Sequence, residues 1–161
     1  MNHVANIPVV ERVRRLFGGA PCRLQVAALP WRKTEGGVEV MLITSRDSGR
    51  WVLPKGWPEL GEELFDAAAR EAGEEAGLKG AVSQREAGRY FYDKSVSRGQ
   101  SFRCEVLVYA LQVDRVADKW KEKRQRERRW VAAQQAAKMV AEDDLGRLIL
   151  QFAANSRRVA A

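Results

Sequence analysis

The chain has 161 residues, a length that suits one domain with a single hydrophobic core. With 45% hydrophobic and 30% charged residues it has a globular composition, and its net charge of +7 points to an anionic partner: nucleic acid, a phosphorylated metabolite or an acidic surface. Cys22 and Cys104 are the only cysteines and His3 the only histidine, which argues against a disulfide framework, a Cys/His zinc site and Ser-His-Asp or Cys-His catalysis.

Residues 1–20 read as an N-terminal arm punctuated by Gly18-Gly19, and VANIPVV within it is too short and too broken by Asn6 and Pro8 for a signal-peptide core. RLQVAALPW (23–31) reads as a strand, TEGG (34–37) as a turn and VEVMLITS (38–45) as the next strand, a hairpin pattern. RDSGR (46–50) reads as a loop, WVLP (51–54) as a short extended piece ended by Pro54, and KGWPELGE (55–62) as a loop rich in Gly and Pro. A helix follows over 62–76, with Glu62, Glu63 and Asp66 in its first turns, where the dipole favours anions, and Gly77 as a left-handed cap. Strands are expected at 81–93 and 102–113, then a basic loop to Trp130 and helices over 134–141 and 143–155. The last helix carries Leu145, Leu148, Ile149 and Phe152 as a core-facing stripe. No apolar run approaches the roughly 18 residues of a membrane span. The order of elements gives an α/β class: a mixed sheet packed by helices, in one domain over 21–155, with a tail at 156–161. A reducing, cytoplasmic location is expected from the cysteine usage, and nothing fixes an oligomeric state.

The helix concentrates charge. On a helical wheel Phe65, Ala69, Ala72 and Ala76 form an apolar stripe, and Glu71, Glu74 and Glu75 cluster on roughly the opposite side, with Arg70 four residues before Glu74. Such crowded carboxylates raise one another's pKa unless a cation intervenes, and a hard divalent cation takes oxygen ligands. Taken alone, REAGEEAG also reads as a solvated acidic face.

The wider spacing decides between these readings. Gly56, five residues, Glu62, seven residues and then Arg70-Glu71-Ala72-Gly73-Glu74-Glu75-Ala76-Gly77-Leu78 resembles the Nudix box, G-x5-E-x7-R-E-U-x-E-E-x-G-U with U aliphatic, at every fixed position. At about 6–7% usage per residue type, such a match arises by chance on the order of 10⁻⁷ of the time. The resemblance implies an α/β/α sandwich, the Nudix fold, in which the box is a loop-helix-loop that binds Mg²⁺ (or Mn²⁺). It implies hydrolysis of a nucleoside diphosphate linked to another group, or of a related pyrophosphate. By position it makes Glu71, Glu74 and Glu75 metal ligands, with the Gly56 carbonyl a further one. Glu62 then pairs with Arg70 beside the site, and Glu71 is the first candidate for general base.

Outside the box, TSRDSGRWVLPKG (44–56) and the later Trp120…Arg126-Glu127-Arg128-Arg129-Trp130-Val131 resemble the diphosphoinositol polyphosphate phosphohydrolase branch, whose substrates are diphosphoinositol and diadenosine polyphosphates. By position Thr44, Ser45, Arg46 and Arg50 match a phosphate-contacting loop there, Arg126 and Arg128 a later basic pair, and Arg23 and Arg103 are looser matches. PKGW (54–57) departs from the glycine run of animal members and places Lys55 and Trp57 beside the metal. PKG also occurs in asymmetric diadenosine tetraphosphate hydrolases, which brings nucleotides forward. KEKRQRERR (121–129), with six basic residues against two acids, reads either as a solvated face or as an attractor of polyphosphate. Trp51, Trp57, Trp120 and Trp130 read as packing residues, one of which could stack on a base. The leading expectation is a metal-dependent pyrophosphohydrolase of a small polyphosphate. Its alternatives are an RNA 5′-pyrophosphohydrolase, nucleic acid being the lesser partner class, and a non-catalytic nucleotide-binding regulator on the same fold.

Overall fold

The computed structural model describes Val9, Val13 and residues 16–158; most of the expected arm, His3 included, and residues 159–161 lie outside the described residues. Two long hairpins build a mixed sheet. Strands β1 (Arg23–Thr34) and β2 (Gly37–Thr44) pair antiparallel with Thr34 opposite Gly37, the hairpin expected from two strand segments flanking the TEGG turn. Strands β5 (Leu78–Ser95) and β6 (Ser101–Val116) pair antiparallel from Leu78 opposite Val116 to Ser95 opposite Ser101, with register shifts near Gly80 and around Glu86 to Gly88. The hairpins join through a parallel pairing of β1 with β6, Arg23 opposite Cys104 through Trp31 opposite Gln112. A short β3 (Trp51–Val52) extends the β2 edge, giving the order β3-β2-β1-β6-β5 among the described residues.

Side chains alternate between the two sheet faces, as the two-residue period of a strand requires. Val26, Ala28, Met41, Ile43, Tyr109 and Leu111 face helix α1 (Leu64–Ala76). Ala27, Leu29, Val40, Leu42, Val106 and Val108 face helices α2 (Ala133–Met139) and α3 (Asp143–Arg158). The result is the helix-sheet-helix sandwich that the resemblance implied. On α3, Leu145, Leu148 and Ile149 are buried, and Phe152 packs edge-on against Trp31 at 5.5 Å between ring centroids. No helix of the described residues is long and apolar enough to cross a membrane.

Four local expectations are corrected. Lys55–Gly56, expected as loop, forms a two-residue strand β4 against Val26 and Ala27 of β1. The basic stretch does not stay a loop to Trp130: Arg128–Ala132 forms β7, antiparallel to β2 with Trp130 opposite Met41. Strand pairing wins in both places because each segment lies beside a strand with open backbone groups, a tertiary circumstance invisible to local composition. Helix α1 starts at Leu64 and not at Glu62, since Glu63 is extended. Its buried face is Ala67, Ala68, Ala72, Glu75 and Ala76; Phe65 and Ala69 are only half-buried, and Glu75 lies on the inner face. The helix packs between the sheet and the 54–57 segment, so its buried arc is wider than an apolar stripe alone would mark.

Gly77 adopts the expected left-handed cap, with φ 67° and its N–H directed at the Ala72 and Gly73 carbonyls. A Cβ there would lie 3.0 Å from both the Trp120 side chain and the Arg128 guanidinium. Gly77→Ala should therefore destabilise the protein by about 1–2 kcal/mol or more, read from urea unfolding, because the backbone strain and the contacts act together.

Candidate active site

The acidic helix meets the sheet through β4. The Ala28 N–H donates to the Pro54 carbonyl (3.0 Å), and β4 then lays Lys55 and Gly56 along β1. This brings the Gly56 backbone hard against Glu71: a Cβ at Gly56 would sit 2.2 Å from Glu71 Oε1. Only a residue without a side chain fits there unless the carboxylate moves. One residue earlier, the Lys55 N–H donates to Glu75 Oε2 (3.0 Å).

Glu75 is held from a second direction. Arg126 Nη2 donates to Glu75 Oε1 (2.5 Å), its Nη1 donates to the Thr44 carbonyl (3.0 Å) and its Nε donates to Glu122 Oε2 (2.5 Å). Both side chains of the pair are buried, at 8% and 10% exposure. Neighbouring parts of the same segment strap the end of α1. The Trp120 indole N–H donates to the Glu75 carbonyl (3.1 Å), the Glu122 N–H to the Glu74 carbonyl (3.2 Å) and Arg128 Nη1 to the Ala76 carbonyl (2.7 Å).

Arg70 organises the other acids. Its Nε and Nη2 donate to the two oxygens of Glu62 (2.9 and 3.1 Å), its Nη1 to Glu71 Oε1 (2.8 Å), and Nη2 also to the Trp57 carbonyl (3.1 Å). The acids divide accordingly. The Arg70 hydrogen bond, with the Glu59 N–H, lowers the Glu62 pKa. Burial raises Glu71, with Arg70 opposing. Burial raises Glu75 to about 7 against Arg126 and the Lys55 N–H, with the Glu71 charge adding to the shift. Burial lowers the Lys55 ammonium, with Glu75 opposing.

Glu71, Glu75, Gly56, Arg70, Lys55, Ser45, Arg46 and Arg126 come together around one cleft of about 410 Å³. A neighbouring cavity of about 430 Å³ shares Ser45 and Lys55 and adds Arg50. Other expected site residues lie elsewhere. Glu74 points to Lys121 (2.8 Å) and does not line the cleft. Glu62 sits behind Arg70. Thr44 is tied into the strap, its Oγ1 accepting the Glu127 N–H (2.9 Å). Arg128 lies under the end of α1 with its guanidinium 3.8 Å from the Trp120 ring centre. Arg23 stacks on Phe102 (4.0 Å), and Arg103 contacts Asp93 (3.4 Å). Sequence reading missed Glu122 and Gln25. Glu122 stands four residues before Arg126, a readable spacing. Gln25, buried on a strand and accepting from the Tyr92 hydroxyl (2.5 Å), carries no local signal.

Among the described residues no three acids converge into a ready-made cage. The residues nonetheless fit a hard divalent cation. Glu71 and Glu75 are one helical turn apart, share the cleft, and are both pushed up in pKa because burial exceeds what their cationic neighbours offset. Carboxylate oxygens suit Mg²⁺ or Mn²⁺, and Mg²⁺ often takes one or two carboxylates and completes its shell with water and substrate phosphate.

A NUDIX domain model matches residues 23–152. Nudix hydrolase 16, mitochondrial, from Arabidopsis thaliana is 33% identical over 128 residues, 71% of this chain and 70% of that protein. Diphosphoinositol polyphosphate phosphohydrolase 2 of Rattus norvegicus is 30% identical over 118 residues, 72% of this chain and 62% of that protein. The aligned stretch spans little more than half of other plant relatives, 58% of Nudix hydrolase 12 and 54% of Nudix hydrolase 13. In fold the chain is similar to a NUDIX hydrolase from Nitrosomonas europaea, with TM-score 0.65 and 19% identity over 84% of this chain and 90% of that one. It is also similar to the Ap4A hydrolase of C. elegans, with TM-score 0.58 and 20% identity over 83% and 98%.

The Arg126 clamp is open to a double-mutant cycle. Arg126→Met should cost about 3–5 kcal/mol in urea unfolding, because it strands the buried Glu75 carboxylate. Adding Glu75→Gln should recover a large part of that loss, since the amide no longer needs a cation beside it.

Proposed function

The chain belongs to the NUDIX family, and from that premise we propose that it is a divalent-metal-dependent pyrophosphohydrolase of a small polyphosphate. The observation that carries the reading is that Glu71 and Glu75, one helical turn apart, line one cleft together with the cations Arg46, Lys55, Lys94 and Arg126. Acids and cations lining one cleft suit a metal-polyphosphate complex better than either ion alone.

Glu71 and Glu75 would hold Mg²⁺ or Mn²⁺, with the Gly56 backbone packed on Glu71. Glu74 joins them only by releasing Lys121. When bound, the metal supplies charge neutralisation at the phosphoanhydride and a more acidic water. Arg70 keeps the Glu71 carboxylate oriented and shares its guanidinium with Glu62. Glu71, whose carboxylate Arg70 orients, is the first candidate to take a proton from the attacking water. The loop between β2 and β3 closes on itself through the Ser45 N–H to the Arg50 carbonyl (2.8 Å) and the Gly49 N–H to the Ser45 carbonyl (2.9 Å). Ser45 and Arg46 thereby face the cleft on a preformed turn, and Arg46, half exposed and held by Gln125 and Glu122, can move onto a phosphate. Positioning and charge carry most of phosphoryl-transfer catalysis, which matches what these residues can offer.

Diadenosine and diphosphoinositol polyphosphates are the substrate classes, in keeping with the names borne by the rat and C. elegans relatives. A reducing, aqueous compartment such as the cytoplasm suits Cys104, a buried thiol outside any disulfide; several plant relatives carry mitochondrial names.

The test is product analysis with Mg²⁺ across diadenosine tetraphosphate, diphosphoinositol pentakisphosphate, nucleoside triphosphates and triphosphorylated RNA. Cleavage of a small polyphosphate is expected. Glu71→Gln and Glu75→Gln should each lower kcat by about 100-fold or more while thermal melting stays cooperative. A protein that binds metal and cleaves no phosphoanhydride bond would overturn the reading in favour of a binding module.

A further inference from the structure

Trp57 has no part in the chemistry above, yet it stands at the lip of the acidic cleft with 42% of its surface exposed. Its backbone is fixed three ways: Gly56 before it is paired with Val26, its own carbonyl accepts Arg70 Nη2, and Pro58 after it restricts it to extended conformations. Its ring is not fixed by burial. One side lies 6.2 Å from the Phe102 ring, tilted by 37°, and Phe102 in turn carries the Arg23 guanidinium at 4.0 Å. The other tryptophans are less exposed: Trp31 packs on Phe152, Trp51 and Trp130 are half-buried and covered by Arg129 and Arg32, and Trp120 is bonded to α1; Trp51 also lines a neighbouring cavity beside Arg46. Trp57 is therefore a large, rigidly based, exposed aromatic beside a site built for phosphate.

We propose that Trp57, backed by Phe102, is a stacking subsite for the purine of a nucleoside polyphosphate whose phosphates occupy the acidic cleft. This deepens the proposed function, on which the placement of the phosphates rests, by choosing between its two substrate classes. A purine offers a flat face to stack on indole. An inositol ring carries equatorial and axial phosphates on saturated carbon and offers no such face. The Arg23 guanidinium, a looser match to the phosphate-contacting positions, lies over Phe102, where it extends the aromatic row and makes it more cationic.

The experiment needs no turnover. ATP and inorganic tripolyphosphate, which share the triphosphate chain and differ by the nucleoside, are titrated calorimetrically into the protein at low salt with Ca²⁺ in place of Mg²⁺, an oxygen-seeking cation that bridges the acids to the phosphates. Wild type should bind ATP about tenfold tighter than tripolyphosphate. Trp57→Ala should abolish that advantage and leave the tripolyphosphate affinity as it was, and Trp57→Phe should keep most of the advantage. Trp57 is exposed, so both variants should melt as wild type does. Equal binding of the two ligands by wild type, or an equal loss for both in Trp57→Ala, would overturn the proposal. Because hydrolysis is not measured, failure of the reaction in the earlier assay would leave this result standing, and failure here would leave the reaction standing with the inositol substrate favoured.

Discussion

One buried carboxylate sets the geometry of the site. Glu75 projects from a helix into the seam between that helix, the β4 segment and the strap that follows β6, and each of its oxygens meets a donor from a different part of the chain: Lys55 N–H and Arg126 Nη2. A buried charge without such partners is strongly destabilising. The helix, the loop before it and the basic segment some 50 residues after it must therefore dock in one arrangement or leave this group unpaired. Arg126 extends the constraint to the end of β2 through the Thr44 carbonyl, and so to the loop carrying Ser45 and Arg46.

Close approach makes this docking feasible. Ala67, Ala68, Ala72 and Ala76 let α1 lie near the sheet, and Gly56 lets the backbone touch Glu71. Larger residues at these places would hold the acids away from the cleft by the width of a side chain. The alanine-rich helix therefore packs with modest apolar area, and hydrogen bonds from the strap supplement it at the C-terminal end.

The basic segment shows how a local reading of charge can mislead. Six cations over 121–129 suggest an open attractor for anions. In the folded protein Lys121 pairs with Glu74, Arg126 with Glu75 and Glu122, Arg128 with two backbone carbonyls, and Arg129 stacks on Trp51. Much of that charge stabilises the acidic helix in place. What remains at the cleft is Arg46, Lys55 and Lys94, with Arg126 buried against Glu75, so the phosphate-facing set is smaller than the count of arginines implied.

The sequence by itself determined the family, the β1–β2 hairpin around TEGG, the left-handed cap at Gly77 and the box from Gly56 to Leu78, because each depends on residue spacing over a short stretch of chain. The family resemblance also implied Arg70 and Glu62 as partners, and they are bonded in the fold. Only the tertiary structure decided which glutamates share the cleft, since Glu71, Glu74 and Glu75 look alike on a helical wheel until β4 and the strap choose the buried arc. It likewise drew Arg128 into a structural role, made strands of β4 and β7, and left Trp57 exposed at the lip. Those outcomes turn on hydrogen-bond partners many residues distant, and backbone or charged groups seek such partners wherever the fold supplies them.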